Sequence, residues 1–363
     1  MYKIIKYSEK IKNELISLLN EKLSLYRQNM AIAVTGSLSK YQLTPKSDID
    51  LIIVTNDQMN PQKKVVVNNL KNSNFQHKFE FYSVQTIKCW ENIASYSAIF
   101  GSDIFFAQTI WGNKKIFNCL QKYLIENHIC LSNQFSYFIY NLLYRDEQIK
   151  DNVKSENLKY QPGGLRDMQF LVWVSKRLGK KHIVDHRLYL KSLVDLGFIS
   201  KNSYKLLVIY FYSILDYKWE LELNKNSKSL RTYKKTYDQL RSSAAEIIET
   251  VKKKILLDFS KTKGKKWLKY VTDARKNKLD LKTRWSLIKS GDESLIFCGL
   301  WKTKDKKLIN YAVDNLNYYW TARASIALNI YTDFHCLKKL YKKSLPDMSD
   351  IRMFIKKNPN FKT

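Results

Sequence analysis

Two aspartates, Asp48 and Asp50, stand one residue apart at the head of the run Asp48–Val54, which alternates polar with apolar and then becomes fully apolar. Side chains at i and i+2 of a strand share one face, so this spacing presents two carboxylates side by side. Left alone they repel. Hard divalent cations such as Mg²⁺ remove that repulsion, because they take carboxylate oxygens together with substrate phosphates. A dozen residues upstream, the apolar run Ala31–Val34 ends at Thr35-Gly36-Ser37. Gly36 lets a ligand approach the backbone closely, and Ser37 offers a hydroxyl and an N–H to phosphate oxygens. Strand, Gly-Ser turn and Asp-x-Asp strand together make a site for a nucleoside triphosphate with metal. In such a site one ion lowers the pKa of an acceptor hydroxyl, and a second holds the triphosphate and stabilises departing pyrophosphate. Catalysis is then mainly positioning and charge neutralisation.

A second constellation is Asn157-Leu-Lys-Tyr-Gln-Pro-Gly-Gly-Leu-Arg-Asp167. Pro162-Gly163-Gly164 is a turn that opens a helix running to about Val174 or Lys176. A Gly-Gly turn at a helix start is expected to expose free backbone N–H groups to an anion. Arg166 adds a forked donor suited to phosphate or carboxylate. Asp167 lies in the first turn, where the helix dipole favours negative charge; it either holds Arg166 in place or touches a metal.

The first spacing resembles the signature of the DNA polymerase β-like nucleotidyltransferase superfamily. Asp48-Ile-Asp50, followed about a hundred residues later by Lys159-x-x-Pro-Gly-Gly-Leu-Arg-Asp167, resembles the catalytic half of bacterial protein-PII uridylyltransferase, the GlnD type. Glutamine synthetase adenylyltransferases are similar but more distant. Ser83-Val-Gln-Thr86, Leu171–Leu178 and Leu193–Phe198 extend the resemblance, which covers roughly residues 30–250.

The resemblance implies transfer of a nucleoside monophosphate, UMP by closest analogy, from an NTP (UTP or ATP) with Mg²⁺, two ions, to a hydroxyl on a PII-like acceptor protein. It implies that Gly36, Ser37, Lys40 and Ser47 bind nucleotide, that Asp48 and Asp50 bind metal, and that Lys159, Gly163, Gly164, Arg166 and Asp167 complete the nucleotide site. The superfamily has a third carboxylate on a nearby strand. Glu80, in the alternating run Lys78–Val84, is the best-placed candidate, against the alternative of an ordinary exposed strand glutamate; Asp103 is a weaker one. Three positions depart from the family pattern: Lys40 replaces Arg, Gln42 replaces Glu, and Gln85 replaces the Arg of Ser-Val-Arg-Thr. The full-length family enzyme also carries an HD hydrolase domain and ACT domains. This sequence has no His-Asp dipeptide, so no HD activity is expected, and 363 residues leave little room for ACT domains.

The elements that must position these residues follow from periodicity. Ile5, Ile11, Leu15, Leu18, Leu19 and Leu23 recur at helical spacing within residues 1–30. Ala31–Val34, Asp48–Val54 and Lys78–Val84 read as strands and Val65–Asn72 as a helix. From about Thr86 helical patterns dominate to the end, with no convincing internal repeat. The expected fold class is α+β, a small mixed-sheet nucleotidyltransferase domain followed by a predominantly helical region. The expected divisions are an N-terminal helix (1–30), the nucleotidyltransferase domain (31–130), a helical substrate- and nucleotide-binding domain with the Gly-Gly-Leu-Arg-Asp motif (131–255), and a basic helical region (256–363).

Composition bounds the rest. Five scattered cysteines without a CxxC pair argue against a structural zinc site or a disulfide framework. No apolar run is long enough to span a bilayer and no signal peptide is evident, so a cytoplasmic protein without membrane insertion is expected. Lys and Arg number 63 against 33 Asp and Glu, a net charge of +30, and residues 251–363 hold roughly 27 of the basic residues against 10 acidic ones. Such a surface attracts polyanions. It supports an alternative reading, an RNA or tRNA nucleotidyltransferase that binds RNA through the basic C-terminal region; a third reading is a degenerate domain that binds without turnover. His182 and His186 lack an evident third metal ligand, and the aromatic-basic stretch Ile309–Tyr331 is expected to be core packing.

Overall fold

A computed structural model of the chain describes residues 3–56, 63–96, 104, 107–126, 136, 138–144, 147, 158–179, 186–223, 228–316, 319–344 and 349–361. Asp103 and His182 lie outside the described residues.

Helix α1 (Lys3–Leu23) buries Ile4, Ser8, Ile11, Leu15, Leu19 and Leu23, a stripe of the width an amphipathic helix presents to a core. Four strands follow: β1 (Met30–Val34), β2 (Ile49–Thr55), β3 (Phe79–Thr86) and β4 (Gln108–Gly112), with the very short helix α2 (Gly36–Ser39) after β1, α3 (Lys63–Lys71) before β3, and α4 (Ile87–Tyr96) and α5 (Lys114–Glu126) flanking β4. The sheet order is β3-β2-β1-β4. β1 pairs antiparallel with β2 and β4, and β2 pairs parallel with β3. The sheet is thus mixed, as expected. Strand β4 is an exception to the helical pattern expected to dominate after Thr86: Gln108-Thr-Ile-Trp-Gly is short, and its pairing with β1 is a tertiary choice that periodicity over five residues does not reveal.

Alternation assigns the two faces. Ile32, Val34, Leu51, Ile53 and Phe79 pack with α1 and α3 in one core. Ala31, Ala33, Ile52 and Val54 face α4 and α5 in another, which contains Trp90, Phe117 and Leu120. Trp90 Nε1 donates to the Ile53 carbonyl at 3.1 Å, so the buried indole N–H is satisfied.

The rest is helical: α6 (Leu165–Gly179), α7 (His186–Asp195), α8 (Lys201–Leu223), α9 (Lys228–Lys263), α10 (Lys265–Arg275), α11 (Leu281–Ile288), α12 (Glu293–Leu300), α13 (Lys306–Asn315), α14 (Trp320–Leu328), α15 (Phe334–Lys343) and α16 (Ser349–Lys357). One continuous core runs from Phe138 to Ile355, so the basic C-terminal helices share apolar packing with the Gly-Gly segment.

From α11 onward the helices form three stacked hairpins. The second helices, α12, α14 and α16, pack in a row, with α13 and α15 packed beside them. The hairpins open on Asp280, Asp305 and Asp333, whose carboxylates accept from the N–H of Thr283, Leu308 and Cys336. Each such cap stabilises its helix by about 1 kcal/mol. Asparagines tie the layers: Asn329 Nδ2 donates to Thr303 O at 2.8 Å, and Asn358 Nδ2 to Ala327 O at 2.9 Å. What recurs is the cap and the asparagine tie, at uneven spacing and with unrelated packing residues, so the sequence carries no convincing repeat. Tyr140 seats the row on the preceding domain through ring contacts with Phe297, Trp320 and Phe354. The stretch Ile309–Tyr331 is largely core, as expected: Ile309, Ala312, Val313 and Trp320 are all buried.

Candidate active site

β1 ends at Val34, opposite Leu51, and the Thr35 N–H donates to the Asp50 carbonyl at 3.0 Å. In the parallel ladder Asp50 is the register partner of Glu80. Phe79 belongs to the α1 core, so Glu80 lies on the opposite face, the one that carries Asp50, Ile52 and Val54. Thr35, Asp50 and Glu80 therefore form a row across the ends of three adjacent strands. Glu80 and Asp48 are exposed and Asp50 is half-exposed.

Gly36 has φ +61°. A Cβ built there would lie 1.7 Å from Asp50 Oδ2, so the turn rests directly on the carboxylate and only glycine fits. Ser37 and Lys40, in and just after α2, are half-exposed. The Thr35 hydroxyl is buried and has no hydrogen-bond partner, a polar atom beside the site that is left unsatisfied.

The approach to Asp48 is held from several sides. Gln42 N–H donates to Ser37 O at 2.9 Å, and Leu43 N–H to the buried Ser8 hydroxyl at 3.1 Å. Thr44 and Ser47 bond one another. From α8, Lys218 Nζ donates to Gln42 O at 3.1 Å, and Glu222 accepts from the Thr44 hydroxyl. Burial holds the Lys218 pKa below its ordinary value, partly offset by Glu222. His77, 4% exposed, contacts Ser47 O through Nδ1 at 2.7 Å and Tyr7 OH through Nε2 at 2.9 Å. A carbonyl only accepts, so Nδ1 carries the proton and, in the neutral ring, Nε2 accepts from Tyr7. Just beyond, Ile49 N–H donates to Lys78 O, which opens the ladder between the two acidic strands. His77 thus joins the starts of β2 and β3.

The Gly-Gly segment differs from expectation. Gly163 N–H donates to Asp167 Oδ2 at 2.9 Å, and the N–H groups of Gly164, Leu165 and Arg166 donate to the carbonyls of Gln161, Leu158 and Lys159. The free N–H groups expected for an anion are therefore consumed internally. Asp167 is 4% exposed and pairs with Lys252 Nζ of α9 at 3.3 Å, so it braces the turn rather than facing a ligand. Both glycines are sterically required. Gly163 has φ +76°, and a Cβ at Gly164 would meet Leu158 O at 2.5 Å. Tyr210 OH donates to Gly163 O at 2.8 Å, while Tyr237 OH and Arg241 Nη1 donate to Gln161 Oε1. Arg166 is half-buried and Lys159 exposed. Arg166 Nη1 donates to Gln169 Oε1, and Gln169 Nε2 to Gln42 Oε1, each at 3.2 Å. This polar chain reaches Ser37 through the Gln42 backbone, and so connects the second motif to the first.

His77, Lys252, Tyr210 and Tyr237 are supports that motif reading missed. Lys252 leaves a signal, a lysine within the buried stripe Ile248, Val251, Ile255 of α9. His77 leaves none beyond its place three residues before Glu80.

Known proteins match along the same two parts. The family model for the nucleotidyltransferase domain matches residues 12–103, which contain Gly36, Asp48, Asp50 and Glu80. The model described as GlnD PII-uridylyltransferase matches residues 143–241, which contain the Gly-Gly turn. The chain is similar to GlnD-type nucleotidyltransferases in both parts. Among curated relatives, the bifunctional uridylyltransferase/uridylyl-removing enzyme of Pseudoalteromonas translucida is 25% identical over 158 residues, 42% of this chain and 18% of the relative. That of Nitrosococcus oceani is 27% identical over 159 residues, 41% of this chain and 17% of the relative. That of Vibrio parahaemolyticus is 23% identical over 186 residues, half of this chain and 20% of the relative. The match spans about a fifth of these relatives' length. No helix among the described residues is long and apolar enough to cross a membrane.

Among the described residues no three His, Cys, Asp or Glu side chains close into a metal cage. The donor set still fits a hard cation shared with a substrate. The carboxylate of Asp50 lies beside a glycine cradle and the unsatisfied Thr35 hydroxyl, with exposed Asp48 two positions before it, and triphosphate oxygens would complete the coordination.

Proposed function

We propose that the protein transfers a nucleoside monophosphate, UMP by closest analogy, from an NTP to a hydroxyl of a PII-type acceptor protein, releasing pyrophosphate. The observation that carries this reading is the register pairing of Asp50 with Glu80 on the face where Gly36 meets the Asp50 carboxylate. Asp50, with Asp48 at the strand entrance, would hold Mg²⁺. The bound cation would neutralise charge on the triphosphate and on the departing pyrophosphate. The Gly36-Ser37 turn grips phosphate oxygens, and Lys40 and Ser47 are further nucleotide contacts. Glu80, exposed where an acceptor could approach, takes the proton of the attacking hydroxyl at its carboxylate. Lys159 and Arg166 supply side-chain cations; Gly163, Gly164 and Asp167 contribute by shaping the turn that carries them.

The test is incubation with Mg²⁺, each α-labelled NTP in turn, and either a PII-type protein or total RNA. Label on the protein with stoichiometric pyrophosphate is the expected result. Label on RNA alone would overturn the protein acceptor, and an Asp50→Ala variant that keeps more than about 10% of the transfer rate would overturn the metal assignment.

A further inference from the structure

The loop that joins α14 to α15 exposes three large apolar side chains within five residues: Ile330 at 52%, Tyr331 at 40% and Phe334 at 42%. Scattered apolar groups need no explanation, but a cluster on an ordered loop marks an interaction site. The loop is held rigid by its own bonds. Tyr331 N–H donates to Asn329 Oδ1 at 3.1 Å, and Asn360 Nδ2 donates to Ile330 O at 2.6 Å and Thr332 O at 3.0 Å. Cations accompany the rings. Lys304 Nζ lies 5.0 Å from the Tyr331 ring centre, and Lys338 Nζ lies 5.6 Å from that of Phe334. Phe334 in turn packs on Phe361 at 5.8 Å.

The neighbouring acids are committed elsewhere. Asp305 and Asp333 cap helices, and Asp314 pairs with Lys339 and Lys343. An anion approaching the loop meets Lys304 and Lys338 beside the two rings, while the Asp305 and Asp333 carboxylates are engaged by helix N–H groups. We propose that Lys304, Ile330, Tyr331, Phe334 and Lys338 form a binding platform for single-stranded nucleic acid, separate from the transfer site, with bases stacked on the two rings and phosphates met by the two ammonium groups. Flexible ammonium groups beside planar rings suit a chain of alternating phosphate and base. An acidic protein surface would use the lysines and leave the rings idle.

The experiment is fluorescence anisotropy with a labelled, mixed-sequence 12-nucleotide single-stranded RNA, titrated with the full chain at several KCl concentrations. Tyr331→Ala/Phe334→Ala is expected to weaken binding roughly ten-fold with little change in salt dependence, since stacking is lost but charge is kept. Lys304→Gln/Lys338→Gln is expected to flatten the logarithmic salt slope by about 1.4, at about 0.7 for each single-strand phosphate contact. Lys114→Gln/Lys115→Gln, two exposed lysines on α5, serves as the charge-matched control and is expected to leave affinity within two-fold. All these residues are at the surface, and circular dichroism checks that each variant folds. Equal losses in the control and platform lysine variants would overturn the proposal in favour of diffuse charge. Wild-type affinity in the aromatic variant, with poly-L-glutamate displacing RNA at matched charge, would overturn it in favour of an acidic protein partner.

Discussion

The Asp50 carboxylate occupies the space that a side chain at position 36 would need, with Oδ2 1.7 Å from the Cβ that any other residue would carry there. The turn proposed to grip phosphate and the acid proposed to hold metal are therefore one packed unit. Gly36→Ala must displace Asp50 and also hold alanine at φ +61°. The backbone conformation costs about 1–2 kcal/mol, which should lower the melting temperature by a few degrees. The transfer rate should fall by more than about a hundred-fold, because the carboxylate leaves its position. A rate within a few-fold of wild type would mean that Asp50 need not sit where it does.

The two acids of the register pair have separable roles. Asp50→Asn should leave less than about 1% of the transfer rate, since a lost metal ligand costs several kcal/mol of transition-state stabilisation. Glu80→Gln should cost about 10²-fold or more, and its residual rate should lose the acid limb of the pH profile, the mark of a missing base. Rate against pH at saturating Mg²⁺ separates the two.

Asp167 and Lys252 form a pair, each side chain 5% exposed. Removing one partner leaves a buried charge, so Lys252→Met should destabilise by about 3–5 kcal/mol in urea unfolding. Asp167→Asn should do likewise, and the double variant should cost clearly less than the sum. An Asp167→Asn protein of normal stability but without transfer activity would show that this carboxylate faces substrate after all.

His77 offers a finer test of positioning. Asparagine places its amide N–H near Nδ1 and can keep the bond to Ser47 O, whereas glutamine reaches toward Tyr7. His77→Asn should retain most activity. His77→Gln should raise the Mg²⁺ concentration for half-maximal rate about ten-fold, because the starts of β2 and β3 are no longer joined. Similar Mg²⁺ requirements in both variants would reduce His77 to a packing residue.

Asp216 of α8 gives a pH signature. Burial pushes its pKa up to about 6, with Lys3 opposing and Glu220 adding to the rise. The folded value lies above the unfolded value of about 4. The native chain therefore binds more protons between these limits, and this group's contribution to stability falls as pH rises through the window. Asp216→Asn should stabilise by about 1 kcal/mol at pH 7.5 once solvent screening of a half-exposed group is allowed for. It should give no gain at pH 4. Melting temperatures at the two pH values provide the check.

The sequence by itself determined the strands and the chemistry carried on them. Asp48 and Asp50 are two apart, Gly36-Ser37 ends an apolar run, and Glu80 stands in an alternating segment, so local periods of two and composition were enough. The stripe of α1 was legible for the same reason, at period 3.6. Only the tertiary structure decided that β2 runs parallel to β3, and this pairing brings Glu80 level with Asp50 across 30 residues of sequence. Register is a property of two strands together, and neither strand's own pattern contains it. The Gly-Gly turn shows the limit most plainly. Its residues suggested open N–H donors, but Lys252, 85 residues away on another helix, neutralises Asp167, and Asp167 takes the Gly163 N–H. Whether a polar group near a helix start faces solvent or the interior depends on which distant side chain packs over it, and here α9 supplies that neighbour.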